Sequence, residues 1–219
     1  MARSSTARRL EPLPVEAPSR RPSFGGGEPP PVRPNVTLGS NAWLGVVMFI
    51  GAEVMFFAGL IGAFLVFRLS SAVWPPPFQP RLPVGVTGAN TAILIASAIT
   101  MHLALRATRA GATLRSIRWL AVTAGLGIIF LFVQGYEWTR LLHFGLTLSS
   151  SVYGGLFYTL IGCHAVHVAG ALIWLVVAWV NAARGRFTRQ QHIGLQTCCL
   201  YWTFVVALWP ALYLLVYLY

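Results

Sequence analysis

Asn41 to Arg68 reads NAWLGVVMFIGAEVMFFAGLIGAFLVFR, an apolar run long enough to cross a bilayer: about 20 residues at about 1.5 Å each cover a hydrocarbon core of about 30 Å. One acid, Glu53, stands near its middle. An ionisable side chain at that depth costs about 2.5 to 3.5 kcal/mol on insertion scales, so it is expected to face protein or water rather than lipid. Two readings of Glu53 stand side by side. It is either a protonated, hydrogen-bonded residue that packs helices together, or a carboxyl that handles protons.

The remainder of the chain has the same character. Of 219 residues, 56 % are hydrophobic and 10 % charged, and the mean hydropathy is +0.67. That leaves too little polar surface for a soluble globule and defines an integral membrane protein. Apolar spans near 42–67, 88–108, 116–139, 152–182 and 192–218 predict an all-α, polytopic bundle of five transmembrane helices over residues 40–219. Residues 1–39 hold eight of the 14 prolines, the run Gly25-Gly26-Gly27 and six arginines, a composition that does not build a core. Without the continuous apolar core of a secretory signal, this segment is expected to be retained as a disordered tail.

The net charge of +11 comes entirely from arginine and does not indicate nucleic acid, because the arginines lie in the tail and in short connectors, where they act as topology signals. With the tail inside, Arg106, Arg109, Arg115 and Arg118 of the second connector and Arg184, Arg186 and Arg189 of the fourth also lie inside. Arg68, Arg81 and Arg140 are left outside. The N-terminus is thus expected to be cytoplasmic and the C-terminus extracytoplasmic. Cys163, Cys198 and Cys199 lie in apolar segments without metal-ligand spacing and read as buried thiols. Trp43, Trp74, Trp119 and Trp138 sit near span ends as interfacial anchors do, whereas Trp174, Trp202 and Trp209 sit deeper, as packing surfaces.

Polar residues recur inside the spans. The second contains Asn90, Thr91, Ser97 and Thr100, with Thr87 and Asn90 placed to cap its start and His102 near its far end. On the third, Gln134 and Glu137 share a face, and Arg140 three residues further on offers Glu137 an interfacial ion pair. His164 and His167 share a face of the fourth span. They are either haem or metal ligands or are hydrogen-bonded to carboxyls or carbonyls of neighbouring helices. Two axial ligands approach an iron from opposite sides, and the chain offers too few further histidines, so the pattern favours hydrogen bonding. The last span carries Gln196, Thr197, Tyr201 and Trp202, with His192, Gln196 and Thr203 roughly on one stripe that predicts a polar seam. A self-contained hydrolase or transferase finds no support in these motifs.

Taken together, an E-x-x-x-F-A-G helix from Glu53, the Asn90-Thr91 pair, the Gln134/Glu137 pair, Y-G-x-x-F followed by H-x-x-H-V-x-x-G from Tyr153 to Gly170, and H-x-G with Y-W-x-F-V from His192 to Trp209 resemble cytochrome c oxidase subunit III. The five-helix bacterial form of that family is the nearer match, covering residues 41 to 219. The resemblance implies a non-catalytic accessory subunit of a haem-copper terminal oxidase in the bacterial inner (cytoplasmic) membrane, packed beside catalytic subunit I and other oxidase subunits. It further implies that haem and copper sit in those partners and none in this chain, that phospholipid is held structurally, and that the subunit supports proton uptake. Glu53 then corresponds to the family's intramembrane carboxyl, and Gln134, Glu137, His164 and His167 to polar groups that tie the bundle and buffer protons.

Gln196, Thr203 and Val206 stand where the family usually carries ionisable groups. These departures keep a quinol oxidase subunit III, or the accessory subunit of a nitric oxide reductase, as alternatives. A membrane cytochrome b or a small transporter is more remote.

Overall fold

In hydrocarbon every backbone N–H and C=O must find a partner within the protein, so long apolar runs become helices. The structure, a computed structural model, describes residues 38–73, 84–149 and 151–218. It comprises α1 (Leu38–Ser70), α2 (Val84–Arg109), α3 (Thr113–His143), α4 (Val152–Ala183) and α5 (Ile193–Tyr213), followed by a π-helical turn, Leu214–Leu218. Among the described residues five helices are long and apolar enough to cross a membrane, and the chain is a multi-pass membrane protein. The tail before residue 38 and the proline-rich stretch 74–83, with Trp74 and Arg81, lie outside the described residues.

The helix ends follow local chemistry. Ser151 adopts an extended backbone (φ −168°, ψ 166°) and its hydroxyl accepts from the Gly154 amide, capping α4. At the end of α3, Gly145 takes φ 85°, where a side chain would be strained. Its amide donates to Leu142, and the Leu146 amide donates to Leu141 at 3.0 Å. This is a Schellman closure, and Leu146 is fully buried beneath it. The same stop recurs after α2 and α4, with Gly111 and Gly185 at positive φ.

One expectation is corrected here. Helix α2 starts at Val84, a turn before residue 88, so Thr87 and Asn90 lie inside the helix rather than capping it. The Thr87 carbonyl accepts from the Thr91 hydroxyl at 2.8 Å. The last span, Ile193–Leu218, is long and apolar enough to cross as expected, and it ends irregularly. Pro210 lies inside α5 and lacks the N–H that would reach the Val206 carbonyl, and a turn later the chain widens into the π register.

Helix α5 occupies the middle, against α1, α2 and α4, while α3 packs on α2 and α4. Within the bundle 44 % of the most apolar stretch of α5 is buried, against 6 % of that of α1. Helix α1 therefore turns most of its apolar surface outward, including Met48, Met55 and Val66. Polar ties run along the α2–α3 hairpin: Thr108 to Ser116 at 2.6 Å, Thr100 to Thr123 at 2.8 Å, and Asn90 Nδ2 to the Phe130 carbonyl at 3.1 Å.

The centre is tight at Gly127 of α3. A Cβ there would lie 2.7 Å from the Trp202 ring and 3.3 Å from Leu172. Gly125, two residues earlier, has nothing within 4 Å. Gly127→Ala is therefore expected to destabilise the protein by about 1 to 3 kcal/mol through overpacking, and Gly125→Ala to be near neutral. Thermal unfolding of the two variants in detergent checks the contrast.

Candidate functional site

Glu53 and His167 sit near the middles of α1 and α4, and packing these helices brings the two side chains together. Glu53 Oε2 lies 2.8 Å from His167 Nε2, with the side chains 14 % and 18 % exposed. The other ring nitrogen, Nδ1, lies 2.6 Å from the Cys163 carbonyl. A carbonyl only accepts, so Nδ1 carries a hydrogen. The bond between Nε2 and Oε2 then holds a single proton, on the carboxyl or on the imidazole. Either arrangement has zero net charge, which is how an acid is accommodated at this depth. Both nitrogens of His167 are engaged by protein groups, so this ring as placed has no free position for a metal or haem iron.

His164 behaves differently. It is fully buried, and neither ring nitrogen has a hydrogen-bond partner among the described residues. Its ring instead stacks on Trp209 (centroids 5.0 Å, 25°) and meets the edge of Phe57 at 6.4 Å. The expectation that both histidines bond to neighbouring carboxyls or carbonyls is thus corrected for His164. Phe57 also contacts His167 at 5.0 Å, so one ring touches both the paired histidine and the stacked one.

Trp209 connects this region to α2. Its indole N–H donates to Thr91 Oγ1 at 2.9 Å, and Trp202 one heptad earlier donates to Ser97 Oγ at 3.1 Å. Seven residues on α5 match six on the antiparallel α2, so the two bonds fix the register between these helices. Sequence reading assigned Trp209 to packing alone. The missed signal is the pairing of two indoles seven apart with two hydroxyls six apart. Asn90, beside this ladder, leaves its Oδ1 without a partner among the described residues.

The remaining candidates fall elsewhere. Gln134 Nε2 makes a long bond of 3.5 Å to the Tyr217 hydroxyl of the π turn. Glu137, its side chain 5 % exposed, lies 3.8 Å from Arg140, which is half exposed. Glu137 falls on a seven-residue stripe of α3 with Ser116, Thr123 and Phe130, all buried, a period that sequence inspection left unused. On the stripe expected to form a polar seam of α5, Thr203 bonds the Cys199 carbonyl of its own helix, and His192 Nδ1 has no partner among the described residues. Gln196 is half-buried. Tyr201 packs its ring between Phe49 and Trp174 at 5.5 and 5.7 Å.

Five spanning helices, with a midspan carboxyl bound to an imidazole and indole–hydroxyl ties around a central helix, define a helical membrane protein whose interior polar groups serve mainly to join its own elements. The chain belongs to the cytochrome c oxidase subunit III family, whose model matches residues 33–219. It is 38 % identical over 175 residues to cytochrome c oxidase subunit 3 of Synechocystis, covering 80 % of this chain and 74 % of that one. With the probable cytochrome c oxidase subunit 3 of Nocardia farcinica it shares 35 % identity, covering 80 % and 86 %. The subunit 3 of Pelomedusa subrufa is 31 % identical, covering 90 % and 75 %.

Two substitution sets probe these contacts. Glu53→Gln keeps one hydrogen bond to His167 and is expected to leave assembly intact. Glu53→Ala leaves a cavity and an unpaired Nε2 and is expected to cost about 1 to 3 kcal/mol. Unfolding midpoints check both. For the α2–α5 ladder, Trp209→Phe and Thr91→Val each remove one partner of the same bond, and a double-mutant cycle is expected to return a coupling of about 0.6 to 1.7 kcal/mol.

Proposed function

We propose that this chain is a non-catalytic accessory subunit of a haem-copper terminal oxidase, associated with other oxidase subunits and lying beside catalytic subunit I in a bacterial inner membrane. The N-terminus faces the cytoplasm, as the arginine distribution favours. Haem and copper belong to the partners in this reading, and phospholipid fills part of the outward apolar surface. The observation that carries the proposal is the Glu53–His167 pair. Each member is a common catalytic or ligating residue type, yet here the two bind each other and hold α1 to α4. That arrangement suits structural support. A proton shared between two helices in midspan also fits an auxiliary part in proton uptake.

The family match over residues 33–219 supports the oxidase assignment, and the names of the relatives favour cytochrome c over quinol as the donor to the complex. Isolating the tagged chain in mild detergent tests the reading. A large haem-copper subunit is expected to co-purify, with haem signals in the reduced-minus-oxidised spectrum that leave when that partner is stripped away. Haem retained by the isolated chain would overturn the assignment.

A further inference from the structure

The end of the bundle where α2 turns into α3 and α4 leads into α5 is strongly basic. Arg106, Arg109, Arg115 and Arg118 flank the first turn, Arg184, Arg186 and Arg189 follow α4, and all are exposed. The two turns adjoin, because Thr108 and Ser116 of one line a small cleft together with Ala182 and Arg189 of the other. Among the described residues the only acids are Glu53, in midspan, and Glu137, toward the opposite end of α3. The ion pairs found among those residues engage neither arginine cluster. Among the described residues Arg186 reaches the Asn181 amide oxygen, at 3.3 Å. The charge must therefore be balanced from outside the described residues.

Topology bias accounts for the sign and side of these arginines. It leaves open what meets them in the folded protein. Helix ends lie at the depth of lipid phosphates, and arginine stems can lie along apolar surface while their heads reach that layer. The shape of the surface favours a lipid over an acidic peptide. Arg115 and Arg118 border an open depression with Leu114, which is 73 % exposed. Below it, the outward side of α3 continues with exposed Val122 and Ile129. A charged head above an apolar stripe matches an amphiphile.

We propose that this end is a headgroup site for an anionic phospholipid, its phosphate between Arg115 and Arg118 and an acyl chain along Leu114, Val122 and Ile129. The proposal rests on the membrane-spanning fold and not on the oxidase reading.

The test exchanges the purified complex into nanodiscs of equal phosphatidylglycerol and phosphatidylcholine, then quantifies the retained lipid by headgroup class. Wild type is expected to retain phosphatidylglycerol preferentially, with the preference largely lost near 1 M salt, where charges are screened within about 3 Å. Each arginine removed in Arg115→Gln and Arg118→Gln is expected to lower the enrichment by about fivefold, and the double lysine variant to keep most of it. No preference in wild type at low salt, or an unchanged preference in the double glutamine variant, would overturn the site. Loss of a partner subunit from that variant with its lipid preference intact would mark the surface as a protein interface instead. Should the glutamine variant fail to accumulate, the salt dependence of wild type still decides. Subunit composition is read on the same sample, so absence of a haem-copper partner counts against the oxidase reading alone.

Discussion

Two indole N–H groups on α5, from Trp202 and Trp209, donate to two hydroxyls on α2, and much of the bundle takes its register from them. Apolar helices in lipid gain little from hiding their surfaces from one another, so specific polar ties and close packing set which faces meet. The Trp202 ring can reach Ser97 because Gly127 of α3 leaves space for it. The Trp209 ring is held from the other side by stacked His164. Three helices are thus ordered around the two indoles of α5, and α1 then completes the bundle through Glu53.

The two histidines of α4 show how one turn of helix changes the use of a side chain. His167 is partly exposed and satisfied at both nitrogens, while His164 is sealed between aromatic rings with neither nitrogen paired among the described residues. A neutral imidazole in the second setting works as a flat, polarisable packing surface. In the first it works as a tie between helices that also holds a proton. A subunit that joins a larger assembly has use for both roles, since it must keep its own shape.

The number and class of the helices were legible in the sequence because they depend on run length and polarity alone. Glu53 was legible as a residue needing a partner for the same reason: a carboxyl in an apolar run is conspicuous. Which residue would meet it was not, because that depends on how α1 rotates against α4, and the α1 sequence is apolar on nearly all sides. Thr203 was read as facing other helices, but a threonine in a helix can bond its own preceding turn, as Thr203 does. Trp209 gave the opposite error, since an indole reads as hydrophobic bulk until its N–H is assigned an acceptor. The early start of α2 escaped because glycine and threonine next to prolines resemble a turn, while Tyr213 reaching the Val84 carbonyl at 3.0 Å anchors that end from α5.

The single proton between Glu53 and His167 has a consequence for an energised membrane. A potential does work of about 2.3 kcal/mol on each elementary charge moved through 100 mV, and a lone carboxylate in midspan would feel that field whenever α1 shifted. The pair carries no net charge in either of its one-proton forms, so the field acts only on its dipole. The fastening of α1 to α4 therefore resists loosening whether the membrane is charged or discharged.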